Sequence, residues 1–130
     1  MATVNVTLDT FKDTVEGSDT VLIDFWASWC GPCRMFGPVY EAASEANPDL
    51  VFAKVDTEAE QQLAAEFRIT SIPTLMVIRD GVVLYSQPGA LPKGNLDELI
   101  KAIRDVDMDE VREQIAAQQA AEAEATAEKS

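Results

Sequence analysis

Histidine is absent from the 130-residue chain. That excludes Ser-His-Asp and Cys-His catalysis, H-E-x-x-H metalloprotease sites and the usual zinc centres. Basic residues are scarce: 10 Lys and Arg stand against 23 Asp and Glu, a formal charge of −13. A chain so acidic is repelled by phosphate, which argues against nucleic acid and anionic membrane as partners. No apolar run approaches the roughly 18 residues of a membrane span. The first basic residue is Lys12, and before it Val4, Val6 and Leu8 alternate with polar residues. A secretory signal would begin basic and continue apolar. The expectation is a soluble, cytoplasmic protein. The rest of the composition, 47% apolar and 25% charged, is ordinary for one domain with a real core.

Cysteine is nearly absent too. Cys30 and Cys33 are the only two, in the run Trp29-Cys30-Gly31-Pro32-Cys33. A bridge between them closes so short a loop that it adds little stability through chain entropy, and one such bridge does not make a secreted scaffold. Half a zinc site needs two more ligands, and there is neither a third cysteine nor a histidine; only a cluster shared between two chains would supply them. A redox-active dithiol, with no metal, is the reading that remains.

Apolar patterning supplies the context. Thr3 to Leu8 alternates as a strand does, and Thr10 with Asp13 reads as a helix start ended by Gly17. Val21 to Trp26 is a nearly unbroken run of β-formers, the pattern of a central strand covered on both faces. A helix is expected from Cys30 to Ala46, with Met35, Phe36 and Val39 in the core. Leu50 to Asp56 is a second buried strand, and Thr57-x-x-Glu60 reads as a capping box opening a helix with Leu63, Ala64 and Phe67. Thr74 to Ile78 and Val82 to Tyr85 flank a tight Asp80-Gly81 turn, and Gly89 and Gly94 punctuate the loop after it. Leu96, Leu99, Ile100 and Ile103 then form one helical stripe. The order β-α-β-α-β-α-β-β-α predicts an α/β fold, a five-stranded mixed β-sheet flanked by four helices, two on each face.

This order places the cysteines at a strand–helix turn. Unpaired N–H groups and the dipole at a helix start favour a thiolate, so Cys30 is the expected nucleophile, exposed at the turn. Cys33, one turn further in, is the expected resolving thiol that attacks Cys30 in a mixed disulfide. Gly31 lets another backbone approach. Pro32 is tolerated early in a helix and withholds one donor from the thiolate. Asp24 interrupts the apolar strand six positions before Cys30. Burial would raise its pKa and suit it to exchange a proton with Cys33; equally, it could be a buried carboxylate satisfied by hydrogen bonds or by Lys54. Pro73, just before a strand, reads as a strand-start residue.

Asp24 to Arg34 resembles the active-site segment of bacterial thioredoxins almost letter for letter. Pro38, Lys54, Ser71-Ile72-Pro73-Thr74, Asp80-Gly81 and Gly89-Ala90 stand where that family has its counterparts, and the likeness covers residues 2–104. The resemblance implies the thioredoxin fold and a protein-disulfide reductase acting through Cys30 and Cys33. It implies Asp24 as buried acid–base group with Lys54 beside it, and a cis Pro73 facing the cysteines. Trp29, Gly31, Pro32, Ile72, Pro73, Gly89 and Ala90 would form a substrate-binding rim where an extended segment pairs with backbone. An NADPH-dependent flavoprotein reductase would recycle the protein, which needs no bound cofactor beyond its own Cys30–Cys33 disulfide and is expected to be a monomer. Pro92 stands where many relatives carry a polar cap, leaving Asn95 as the expected alternative cap of the last helix.

Two domains are read from composition: residues 1–104, and an acidic Ala/Gln/Glu-rich extension over 105–130. The extension has eight acidic and two basic residues. Asp107-x-x-Glu110 could open a helix, with a short stripe of Met108, Val111 and Ile115 that Gln118 and Glu122 interrupt; a frayed helix passing into disorder is expected. The rival to a reductase is a binding or structural module of the same fold, with this extension as its contact.

Overall fold

The computed structural model of the chain describes residues 2–128. Five strands form one sheet: β1 (Thr3–Asn5), β2 (Thr20–Trp26), β3 (Val51–Asp56), β4 (Thr74–Arg79) and β5 (Val82–Pro88). Their spatial order is β1-β3-β2-β4-β5. β1 and β2 run parallel to β3, while β4 is antiparallel to both β2 and β5. The helices are α1 (Leu8–Glu16), α2 (Gly31–Ala46), α3 (Gln61–Glu66), α4 (Lys93–Asp105) and α5 (Met108–Glu128). The mixed five-stranded sheet is the one the sequence order predicts.

β2 is central and buried along its length because its apolar residues serve both faces. Val21, Ile23 and Phe25 join Val6, Ala53, Val55, Leu63, Met76 and Ile78 in one core, closed by Phe11 of α1 and by Phe67. Phe67 packs on both aromatic rings, 5.2 Å from Phe11 and 6.0 Å from Phe25. The alternate residues, Leu22 and Asp24, take the face of α2. There Tyr40 packs edge-on against Phe52 at 5.3 Å and donates its hydroxyl proton to the Ala53 carbonyl at 2.8 Å. α2 and α4 line a common groove through Pro38, Val39, Ala42, Ala43 and Leu96.

Several local expectations are corrected. β1 ends at Asn5, because Thr7 leaves the strand to cap α1: its side chain accepts from Thr10 N–H and the Thr10 side chain accepts from Thr7 N–H. Met35 is 76% exposed rather than core; Phe36, Tyr40 and Ala43, spaced i, i+4 and i+7, are the buried face of α2. Thr57 and Glu60 form no capping box. Thr57 Oγ1 donates to the Trp26 carbonyl at 2.9 Å, and Glu60 Oε1 accepts from Leu8 N–H at 2.8 Å, so both side chains serve distant partners. Gly94 lies inside α4, which starts before Asn95, with Leu96 N–H donating to the Pro92 carbonyl. The Asp80-Gly81 turn has the two positive φ angles of a tight hairpin, 52° and 78°.

Residues up to Ile100 form one compact unit, and those from Lys101 a second. In the second, Asp107 Oδ1 accepts from the N–H groups of Asp109 and Glu110, capping α5, and Met108 is buried. α5 runs to Glu128; its Ala-rich sequence sustains a helix past the end of the apolar stripe.

Candidate active site

The end of β2 delivers Ala27 to Trp29 into a turn, and α2 begins immediately after. Cys30 is the N-cap of α2, with extended backbone (φ −85°, ψ 115°), followed by Gly31, Pro32 and Cys33 in the first turn. The Cys33 backbone N–H donates to Cys30 Sγ at 3.2 Å. Sulfur thus takes the place that a serine or aspartate oxygen takes in an ordinary N-cap. A negative charge on this atom meets the N-terminal donors and the positive end of the dipole. Pro32 supplies no N–H to this group. An added Cβ at Gly31 would meet nothing within 4 Å, so the residue borders open space.

Cys30 and Cys33 are joined in a disulfide, with their Cα atoms 5.2 Å apart. Neither is exposed: Cys30 is 4% and Cys33 5% accessible. This corrects the expectation of an exposed Cys30. Ala27 and the half-buried Trp26 and Ile72 pack around the pair, and the Ile72 carbonyl oxygen lies 3.7 Å from Cys30 Sγ. What separates the two sulfurs here is the N–H donated to one of them rather than their burial.

The Ile72–Pro73 peptide bond is cis. Gly89, at φ +110°, turns its N–H onto the Pro73 carbonyl at 2.8 Å. Few residues other than glycine adopt that conformation. Ile72 therefore packs on the disulfide, Gly89 is tied to the buried Pro73 that follows Ile72, and Ala90 is exposed. Trp29 is 64% exposed, and its Nε1–H donates to Glu58 Oε1 at 2.6 Å.

Asp24 lies on the α2 face of β2, paired in register with Lys54 of β3 and Leu75 of β4. It is 1% exposed, and neither carboxylate oxygen has a hydrogen-bond partner among the described residues. Desolvation by this burial pushes its pKa up from 3.8 to about 7, against the opposing pull of the Lys54 charge. Hydrogen bonds do not satisfy Asp24, while the charge of the neighbouring Lys54 partly offsets its burial. Lys54 is half-buried, with its ammonium 4.9 Å from the centre of the Trp26 ring.

Among the described residues no group of three or more His, Cys, Asp or Glu side chains is placed to hold a metal ion. No helix of the described residues is long and apolar enough to cross a membrane.

Residues 2–102 match the family described as thioredoxin. The chain belongs to the thioredoxin family. A Streptomyces coelicolor relative provisionally named thioredoxin 2 is 59% identical over 119 residues, spanning 92% of this chain and 89% of that one. The Bacillus subtilis thioredoxin is 43% identical over 102 residues, covering 77% of this chain and 96% of its own. Among solved structures, a point mutant of a thioredoxin from Halobacterium salinarum superposes with a TM-score of 0.74 at 32% identity, covering 80% of this chain and 92% of its own. The family, together with the Cys30–Cys33 pair, makes the chain a thioredoxin-type protein-disulfide reductase.

The residue that sequence reasoning missed is Glu58. It lies 29 positions from Trp29, and no local pattern links them. The available signal was chemical: an exposed tryptophan beside the cysteines, and an acidic loop at the end of the strand paired with β2, with Trp26 and Asp56 in register.

Proposed function

We propose that the chain reduces protein disulfides by a two-cysteine relay, with Cys30 as nucleophile. Cys30 thiolate attacks one sulfur of a substrate disulfide, and the other substrate sulfur leaves as a thiolate. Cys33 loses its proton to the Asp24 carboxylate and attacks Cys30 Sγ. The substrate's second thiolate leaves, and the Cys30–Cys33 disulfide closes. The substrate gains two electrons and the protein loses two. Asp24 is suited to its part because its pKa, about 7, matches a proton taken up or given back near neutrality. Lys54 sits beside it and limits that rise.

The observation that carries this reading is the N–H of Cys33 aimed at Cys30 Sγ at the start of a helix. Trp29, Gly31, Pro32, Ile72, Pro73, Gly89 and Ala90 form the docking rim, where backbone pairing tolerates many substrate sequences. An NADPH-dependent flavoprotein reductase returns the disulfide to the dithiol, so the chain works without a bound cofactor. A monomer acting in the cytoplasm fits this chemistry, since the relay must be kept reduced.

The test couples NADPH oxidation to a protein disulfide through a thioredoxin reductase. Wild type turns over, and Cys30→Ser and Cys33→Ser do not. Only Cys33→Ser accumulates a mixed disulfide with the substrate. Absence of wild-type turnover with several reductases would favour a binding module instead.

A further inference from the structure

Trp29 belongs to the proposed docking rim, and its bond to Glu58 forms a surface pair that the electron and proton transfers of the relay do not use. The indole is 64% exposed, so its face is open to solvent, while its edge is fixed by the 2.6 Å bond from Nε1–H to Glu58 Oε1. Glu58 is itself held in place by the loop that follows β3. Its N–H donates to Asp56 Oδ1 at 2.9 Å, and that of Ala59 does so at 3.4 Å. Thr57 anchors the loop to the end of β2, donating both N–H and Oγ1 to the Trp26 carbonyl at 2.8 and 2.9 Å. One Glu58 oxygen is thus committed to the indole. The other has no partner among the described residues.

We propose that Trp29 and Glu58 together recognise a cation, so that the site favours disulfide segments carrying an arginine beside the bond to be reduced. The inference rests on the reductase reading and adds a substrate class to it. A guanidinium can stack on the indole face while its fork reaches the free carboxylate oxygen. The ring is already ordered by Glu58, so stacking does not have to pay the entropy of fixing it. Donation of the indole N–H to a carboxylate also makes the ring a richer electron source for a cation. The chain's charge of −13 draws cationic segments toward the surface as a whole. Lysine carries the same charge, but its compact, strongly hydrated ammonium neither stacks nor forks, so it gains less.

The test uses protein reduced beforehand and freed of reductant, which removes any dependence on the flavoprotein. It is mixed with disulfide peptides identical except for Arg, Lys or norleucine next to one cysteine. Samples are quenched in acid, and reduced peptide is measured by chromatography. At low salt the Arg peptide should react about fivefold faster than the norleucine peptide, with Lys between them. The ratio should shrink in roughly 0.5 M salt. Glu58→Gln, which keeps an acceptor for the indole but removes the charge, should bring the ratio near one. Glu98→Gln removes the same charge at an exposed site on α4 and should leave the ratio at the wild-type value. Equal rates for Arg and norleucine in wild type, or a ratio that survives Glu58→Gln, would overturn the inference while leaving the reductase reading intact. Failure to reduce any peptide would overturn both.

Discussion

The backbone N–H of Cys33 points at the sulfur of Cys30 across 3.2 Å, within the first turn of one helix. In the proposed relay, Cys33 therefore supports Cys30 electrostatically as well as covalently. When Cys30 carries a thiolate, this bond becomes charge-assisted and strengthens. The site withholds one further donor, because the residue between them at the second helical position is Pro32.

Restoring that donor should change the redox balance. Pro32→His supplies an N–H and a side chain that can carry positive charge, so the reduced form is stabilised and the pair becomes a stronger oxidant. The reduction potential, measured by equilibration with glutathione, should move to a less negative value. An unchanged potential would count against the role given to Pro32.

Asp24 should make stability fall as pH rises. Its carboxyl is raised from 3.8 to about 7 in the folded chain. Below 3.8 it is protonated whether the chain is folded or not, and carries no penalty. The penalty grows between 3.8 and about 7 and is complete above, reaching about 4 kcal/mol as an upper bound. Asp24→Asn should therefore be more stable than wild type at about pH 8, with the advantage disappearing near about pH 3.5. Urea unfolding of the oxidised proteins across that range measures it. The same variant should slow release of substrate from the mixed disulfide.

Glu41 should act with the opposite sign. The Thr3 hydroxyl donates to its carboxylate at 2.7 Å and Ala2 N–H at 3.0 Å, and these bonds, that from Thr3 foremost, hold its pKa below the usual 4.5. They tie the short edge strand β1 to α2. The stabilisation is present above pH 4.5 and is lost as pH falls through the lowered value. Glu41→Gln should lower the urea midpoint at neutral pH, and the difference should close at acid pH. A difference independent of pH would contradict this.

Gly89 keeps its bond to the Pro73 carbonyl, at the proposed docking rim, through a conformation that other residues resist. At φ +110°, replacement by alanine should cost about 1–2 kcal/mol. Its N–H would also leave the Pro73 carbonyl, so KM for a protein disulfide should rise more than kcat falls. Equal stability and unchanged KM would show that the turn is not needed.

The parts of this protein that were legible in the sequence are those specified by neighbours in the chain. β2 was readable because its residues are apolar on both faces, and α2 because Cys30 to Ala46 carries its own start and stop. The Asp80-Gly81 hairpin followed from two residues that accept positive φ. Thr57 and Glu60 match a capping box in sequence, but the same side chains that cap helices also bridge to distant backbone; here they reach Trp26 and Leu8 instead. Met35 was misplaced because its apolar character outweighed its angular position on the helix. The burial of Cys30 and the Trp29–Glu58 bond depend on segments 42 and 29 residues away, a separation at which spacing in one sequence carries no signal.

The most direct test concerns the ionisation of reduced Cys30. The rate of iodoacetamide labelling is followed against pH, with mass spectrometry locating the label. Labelling should fall first on Cys30, and its rate should reach half its maximum well below the value of about 8.5 typical of a free thiol. A midpoint at that ordinary value, or earlier labelling of Cys33, would contradict the assignment of Cys30 as the helix-stabilised nucleophile.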